Sequence, residues 1–265
     1  MKFIKSLKFL RPIIRKLNIG SFEFRLNMNA LKRMHYAYIC FYAAKLGKKL
    51  GYKKISVIEY GVAGGQGLLI LEEYIKEIEK VFDIEIEIYG FDTGEGLPEP
   101  VDYRDLPYHW KKGFFEMNKD DLQKKLKKSK LVIGNIDSTS KGFFSSYNPA
   151  PIGAVIHDFD FYSSTKIALS MMCKNENFFL PRVFSYFDDT IGDELSLYND
   201  FTGERLAINE FNDGNSYIKI SKPYHLKALK PQIWHNQIWI CHFFNHPKYN
   251  HFISDENQQL KIKNS

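Results

Sequence analysis

Four carboxylates fall in two short clusters, His157-Asp158-Phe159-Asp160 and Phe187-Asp188-Asp189. Asp158 and Asp160 are two apart, so an extended segment points both to one face. If neighbouring strands lead into the two clusters, the pairs come within reach of one ion. Four crowded carboxylates repel one another and hold extra protons unless something compensates them. A hard cation such as Mg2+ or Ca2+ does so, because both prefer oxygen ligands. The plainer alternative is a set of solvated strand-end acids capping the helices that follow. Asp160, ahead of Phe161-Tyr162-Ser163-Ser164-Thr165, suits such a cap. His157 suits a general base near neutral pH, and a structural histidine fits as well. His235, His242, His246 and His251 lie in or beside the last strand and tail. They read as structural or surface residues, since a zinc site needs a closer ligand set.

A second constellation precedes these acids. The β-rich run Ile55–Tyr60 ends in Gly61-Val62-Ala63-Gly64-Gly65-Gln66-Gly67. Glycines after a strand let backbone approach a ligand and open a helix. Asp92 ends the next strand, where a carboxylate can accept both hydroxyls of a ribose. The dinucleotide fingerprint G-x-G-x-x-G is absent; the pattern is Glu59-x-Gly61-x-x-x-Gly65-x-Gly67. Glu59 either braces the turn or accepts from an amino group on a ligand, and the two roles are compatible.

The elements that position these residues can be read from periodicity. Residues 1–50 are helical, with Leu31, Met34, Tyr38 and Phe41/Tyr42 at helical spacing. Leu71, Tyr74/Ile75, Ile78 and Val81/Phe82 form one apolar helix face. Ile84–Phe91 alternates Ile-Glu-Ile-Glu-Ile, a strand with one wetter face. Asp120–Lys128 is a charged helix, Leu131–Ile133 and Ile152–Ile156 are strands, Thr165–Cys173 is helical, and Val183–Phe187 is a fifth strand. Ser216–Ser221 and Gln237–Phe244 are late strands with no obvious helix between them. Strands separated by helices imply a doubly wound, Rossmann-like α/β sheet, here of seven strands, mostly parallel, closed by a C-terminal antiparallel hairpin. Such a sheet binds ligands at the carboxyl ends of its strands, where all the unusual residues sit. The expected organisation is a helical N-terminal extension or lid over 1–50, a main domain over 51–250 and a tail over 251–265.

Composition narrows the classes further. The chain has 265 residues, 44% hydrophobic and 26% charged, which is ordinary for a globular protein. Its apolar runs fall far short of the roughly 20 residues that span a bilayer. The 3 cysteines, Cys40, Cys173 and Cys241, are scattered, which argues against a disulfide scaffold and for a cytoplasmic setting. The net charge of +6 concentrates in Met1–Gly20, which carries Lys2, Lys5, Lys8, Arg11, Arg15 and Lys16 and no acid. A basic amphipathic helix packed on the protein or on a homodimer mate is the first reading. Peripheral membrane contact through residues 1–20 or a nucleic-acid contact is the alternative.

The Glu59–Gly67 turn, the Asp92 strand end and the strand order resemble a class I S-adenosylmethionine (SAM)-dependent methyltransferase. More narrowly, Phe91-Asp92-Thr93-Gly94-Glu95-Gly96-Leu97-Pro98 is similar to a segment of the macrocin-type sugar O-methyltransferases. So are His157-Asp158-Phe159-Asp160-Phe161-Tyr162-Ser163-Ser164-Thr165, Phe187-Asp188-Asp189 and the helix from Gly203 to Phe211. The resemblance covers roughly residues 53–215. Ser163 stands where the family has glutamate and His157 where it has an apolar residue. Gly134-Asn135-Ile136-Asp137-Ser138 replaces an aromatic-rich segment.

The resemblance implies SAM as donor, held by Glu59, Gly61, Gly65, Gly67, Asp92, Asn135 and Asp158. It implies Mg2+ on Asp158, Asp188 and Asp189 and proton transfer at Asp160; His157, by its own chemistry, is the second candidate base, and Tyr162 and Arg205 are the expected acceptor contacts. Residues 1–50 and about 190–215 would cover the acceptor. The expected reaction is methylation of a small hydroxylated acceptor, a sugar or glycan precursor, with Mg2+ lowering the hydroxyl pKa. Two rivals stand beside it. A glycosyltransferase would use Asp158-x-Asp160 for a metal and a sugar nucleotide, and a basic module would bind RNA or an anionic membrane.

Overall fold

The structure is a computed structural model and describes residues 10–254. Three helices come first, α1 (Arg11–Leu17), α2 (Phe22–Asn27) and α3 (Met34–Lys49). Then follow β1 (Lys54–Tyr60), α4 (Gln66–Phe82), β2 (Glu85–Asp92), α5 (Lys119–Lys125), β3 (Lys130–Ile133), α6 (Ile136–Tyr147) and β4 (Ile152–His157). The chain continues with α7 (Tyr162–Lys174), β5 (Phe179–Phe187), α8 (Gly203–Gly214), β6 (Ile218–Ser221), the short α9 (Tyr224–Lys227) and β7 (Ile238–Phe243). The seven strands form one sheet in the order β3-β2-β1-β4-β5-β7-β6. Pairs β1–β2, β1–β4, β2–β3 and β4–β5 are parallel, and β7 runs antiparallel to both β5 and β6. Among the described residues no helix is long and apolar enough to cross a membrane.

Each face of the sheet buries its own core. Val57, Ile86, Ile88, Ala154 and Ile156 face α3 and α4, whose Ile39, Ala43, Leu71 and Ile75 are fully buried. On the other face Ile58, Tyr89, Phe91, Val155 and Phe187 pack with α6, α7 and α8. Two-sided burial explains why β4 reads as a continuous apolar run. It also makes α3 part of the main core, with Tyr36, Ala37, Ile39 and Cys40 each 0% exposed. Of the basic N-terminal stretch, Arg11, Arg15 and Lys16 lie on or beside the outer side of α1 near exposed Ile13 and Leu17. Lys2, Lys5 and Lys8 lie outside the described residues, as does most of the 251–265 tail.

Several elements differ from the sequence expectation. α5 ends at Lys125, because Leu126 turns extended and buries its side chain. β5 begins four residues earlier than expected, at Phe179, running through Pro181. α6 was not expected, since Ile136-Asp137-Ser138-Thr139-Ser140-Lys141-Gly142 is poor helix sequence. It forms because the Asn135 side chain accepts from Asp137 N at 2.9 Å and Ile136, Phe143 and Phe144 reach the core. The β6–β7 connection also holds a short helix and a 3-10 turn rather than a plain hairpin loop.

The glycine turn shows how tightly the sheet ends are packed. Gly61 has φ 77°, and a Cβ there would lie 1.7 Å from the Asp158 carbonyl oxygen. Gly67 sits in the first turn of α4 at an ordinary helical φ, yet a Cβ would lie 1.7 Å from Glu59 Oε1. Glu59 is 2% exposed and tied to the Tyr36 hydroxyl at 2.6 Å, so it has nowhere to go. Gly67→Ala should therefore cost stability through overpacking alone, by about 2 kcal/mol. Urea unfolding measures this, and a variant as stable as the parent would show that Glu59 can move aside.

Candidate functional site

A cavity of about 350 Å3 opens at the carboxyl ends of β1, β2, β4 and β5. Gly61, Ala63 and Asp92 form one side, and Asp158, Asp160, Asp188 and Asp189 another. Asn135, Trp110, Phe115, Leu97, Phe159 and Arg33 complete much of the wall. Its size falls within the range of small-molecule sites.

The donor-side residues are held by backbone. Asp92 Oδ2 accepts from Ala63 N at 2.8 Å, and Oδ1 from Gly94 N at 2.7 Å. The carboxylate is thus fixed at the lip, with lone pairs left for further donors. Ala63 has φ 47°, the left-handed region, which aims its N–H back at Asp92. Gly61 lines the cavity, whereas Gly65 and Gly67 do not. Gly65 packs against Leu122, and Gly67 lets α4 close on Glu59. Glu59 lies beneath that turn, off the cavity wall. Burial raises its carboxyl pKa to about 7, against the lowering effects of the Tyr36 hydroxyl and Arg33. Its Oε2 has no partner.

The acid side is organised differently. One carboxylate oxygen from each of Asp158, Asp188 and Asp189 lies within 4.8 Å of the others. Asp189 is the most engaged, accepting from the Tyr198 hydroxyl at 2.7 Å and from Asp160 N at 3.1 Å. Asp188 accepts from the Tyr186 hydroxyl and from Gln237 Nε2. Asp160 is not in the triad and takes a left-handed φ of 63°, so the 158–160 segment is not a simple extended strand. Nor does it cap α7, whose N-cap is Phe161. Glu204, at the start of α8, accepts from Asp189 N at 2.9 Å while its Oε1 is buried without a partner. No arginine or lysine lies within ion-pair distance of these five acids among the described residues.

Like charges at such spacing repel by roughly 3 kcal/mol per pair even at a moderate effective dielectric. The folded protein lowers this cost by holding protons. Burial, then Asp188, Asp189 and Asp160, push Asp158 well above the carboxylate range. Burial, then Asp189 and Asp188, raise Asp160 to about 9. Burial and Asp188 raise Asp189 to about 7, and burial and its acidic neighbours raise Glu204 strongly. Such a donor set, all oxygen and undercompensated, fits Mg2+ or Ca2+.

The remaining expected site residues lie elsewhere. His157 is fully buried and stacks on Phe187 at 4.1 Å, both ring nitrogens unpartnered, behind the cavity wall. Burial lowers its pKa to about 3, so it stays neutral. Tyr162 is buried, its hydroxyl donating to Glu210 at 2.7 Å and accepting from Arg104 and Lys166. Arg205 pairs with Asp200. Neither Tyr162 nor Arg205 lines the cavity. Arg33 and Glu204 were not singled out by sequence, because each belongs to the site only through the packing of its helix.

The acid cluster sets a pH dependence. Asp158, Asp160 and Glu204 hold protons in the folded state that the unfolded chain has released by about pH 5. Their raised pKa values therefore lower stability as pH rises from about 4 through the folded values, about 9 for Asp160. Lys222, lowered to about 7 by burial, opposes this with one proton. Mg2+ must displace those protons, so its stabilisation should grow with pH. The melting-temperature gain on adding Mg2+ to EDTA-treated protein should be larger at pH 8 than at pH 7. Equal gains, or none, would remove the cluster as a cation site.

Comparison with solved structures bears on the fold. CalS11, a calicheamicin methyltransferase, superposes with a TM-score of 0.54 at 16% identity, over 90% of this chain and 92% of that one. An apo structure of CalS11, described as a TDP-rhamnose 3'-O-methyltransferase, gives 0.45 at 15% identity, over 91% and 92%. An O-methyltransferase from Bacillus cereus in complex with SAH gives 0.43 at 11% identity, over 90% and 98%. No family model matches the sequence, and no curated protein matches it. The sheet order and the first superposition together give this chain an α/β Rossmann-like fold, the fold CalS11 has.

Proposed function

We propose that the protein is a SAM-dependent, Mg2+-assisted O-methyltransferase acting on a small hydroxylated acceptor, most simply a sugar or glycan precursor. The observation that carries this reading is the shared cavity. The glycine turn with Asp92 and the Asp158/Asp188/Asp189 triad line one space of ligand size. The likeness in fold to CalS11, a calicheamicin methyltransferase, supports the reaction class.

SAM would supply an electrophilic methyl group, and Mg2+ a Lewis acid that acidifies a bound hydroxyl. The chain's own contribution is alignment, since an in-line displacement depends mainly on proximity and orientation. Asp92, pinned by two backbone N–H groups, would accept the ribose hydroxyls, and Gly61 and Ala63 bring bare backbone close beside it. Trp110 and Phe115 offer flat apolar faces to an adenine or sugar ring. Asp158, Asp188 and Asp189 would hold the cation. Of the two cavity acids outside that triad, Asp92 is committed to the backbone of the glycine turn, so Asp160 would take the acceptor's proton once a bound cation has displaced its own. A glycosyltransferase using Asp158-x-Asp160 is favoured less, because Asp160 is not one of the three clustered donors.

Calorimetric titration of metal-free protein with S-adenosylhomocysteine (SAH), repeated with Mg2+, tests the donor; micromolar binding is expected. Asp188→Asn keeps the contacts to Tyr186 and Gln237 but removes a charge from the triad. It should weaken Mg2+ binding about tenfold or more and leave SAH affinity within about threefold. Methyl transfer to a panel of glycosides, sugar nucleotides and catechols, read as SAH release, should fall in step. Transfer that persists in Asp188→Asn with the metal chelated would sink the metal-assisted mechanism.

A further inference from the structure

We infer that Arg33 is the anion-binding residue of the cavity, positioned to take an anionic oxygen group on one of its ligands. This deepens the methyltransferase reading and rests on it for the identity of the ligands. The shared chemistry is a carboxylate or phosphate. Its two sources are the amino-acid end of the donor and an acidic group on the acceptor.

Among the described residues, Arg33 is the sole arginine or lysine that lines the cavity, and the other charged members are all acids. Its guanidinium carries five donors in a planar fork. Among the described residues it makes one hydrogen bond, from Nη1 to the Tyr36 hydroxyl at 3.2 Å. No carboxylate lies within ion-pair distance of it among the described residues. Arg33 feels the field of Glu59, Asp158 and Asp188 at a distance but forms no direct ion pair with any of them, so its donors are not consumed by the acids. Arg33 lines the cavity with an exposed side chain, so the rest of the fork is available to a carboxylate or phosphate that can accept two parallel bonds.

The side chain is also held in place. Its carbon Cζ lies over the Tyr36 ring at 5.1 Å. Tyr36 is 0% exposed and donates to Glu59 at 2.6 Å, which fixes the platform to the floor of the glycine turn. On the other side the Tyr74 hydroxyl donates to the Lys32 carbonyl at 2.6 Å, pinning the backbone before Arg33 to α4. Arg33 itself has φ 34° and ψ 63°, a left-handed conformation that a long side chain adopts only when its surroundings impose it. A residue with a left-handed backbone, stacked on Tyr36 and lining a ligand-sized space, is poorly explained by helix capping, since its side chain makes no cap bond.

The test compares the parent with Arg33→Gln by calorimetry in the presence of Mg2+, using three probes. These are SAH, 5'-methylthioadenosine (which lacks the amino-acid end) and inorganic phosphate. Loss of a charge-assisted bond should weaken the relevant probe by about tenfold or more. If the donor supplies the anion, Arg33→Gln weakens SAH and leaves methylthioadenosine unchanged. If the acceptor supplies it, SAH is unchanged and phosphate weakens. Equal affinity of parent and variant for SAH and phosphate overturns the inference, as does equal weakening of SAH and methylthioadenosine, the mark of a general structural role. A parent that binds neither nucleoside but loses phosphate in the variant would refute the methyltransferase reading and leave the inference standing. Circular dichroism checks the variant's fold. Should it unfold, Arg33→Lys, which keeps the charge but not the fork, carries the same comparisons with a smaller expected loss.

Discussion

The crowding of Asp158, Asp188, Asp189, Asp160 and Glu204 at the ends of β4 and β5 is the constraint around which this end of the molecule is built. Buried carboxylates without a cation are expensive, and among the described residues the protein gives them neutral donors in direct contact, with Arg33 acting only at a distance. Tyr198, Tyr186 and Gln237 point hydroxyl and amide groups at them, and the backbone of Asp160 is bent into a left-handed conformation to add an N–H. Neutral donors soften the repulsion but cannot cancel it. The result is a site that holds protons alone and is suited to exchange them for a divalent cation.

Holding those acids in register depends on the close approach of β1 and β4. Only a glycine at position 61 allows the Asp158 carbonyl to pass so near. The same turn then releases α4 over Glu59, through Gly67, and presents Ala63 N to Asp92. One backbone excursion thus sets the acid cluster, the nucleoside-side carboxylate and the buried glutamate together. Gly65 and Gly67 serve this packing rather than the cavity surface. A glycine-rich turn in sequence therefore does not say which of its glycines meets a ligand.

What sequence made legible was whatever depends on short-range pattern. The β-rich runs, the alternation in Ile84–Phe91, the acids at strand ends and the glycine turn all follow from local chemistry and reappear in the sheet. The parts that stayed hidden depend on partners far along the chain. α6 is a serine-rich segment that becomes helical because Phe143 and Phe144 find the core. The early start of β5 reflects pairing with β4 across an irregular register. His157 looks like a base beside an aspartate, yet the strand's alternation turns it inward onto Phe187 while Asp158 turns out.

Arg33 shows the same logic at the site itself. Nothing in Leu31-Lys32-Arg33-Met34 marks a functional arginine. It reaches the cavity because α3 is buried across the sheet, which places the start of that helix at the strand ends. A helix that looks like an added N-terminal piece thereby becomes one wall of the cavity, and its core residues Tyr36 and Cys40 connect that wall to the sheet. The acids attract a cation, while Arg33, from a different element, offers a positive charge to the same cavity. A ligand with a neutral reacting hydroxyl and an acidic group at its other end would meet complementary chemistry at both.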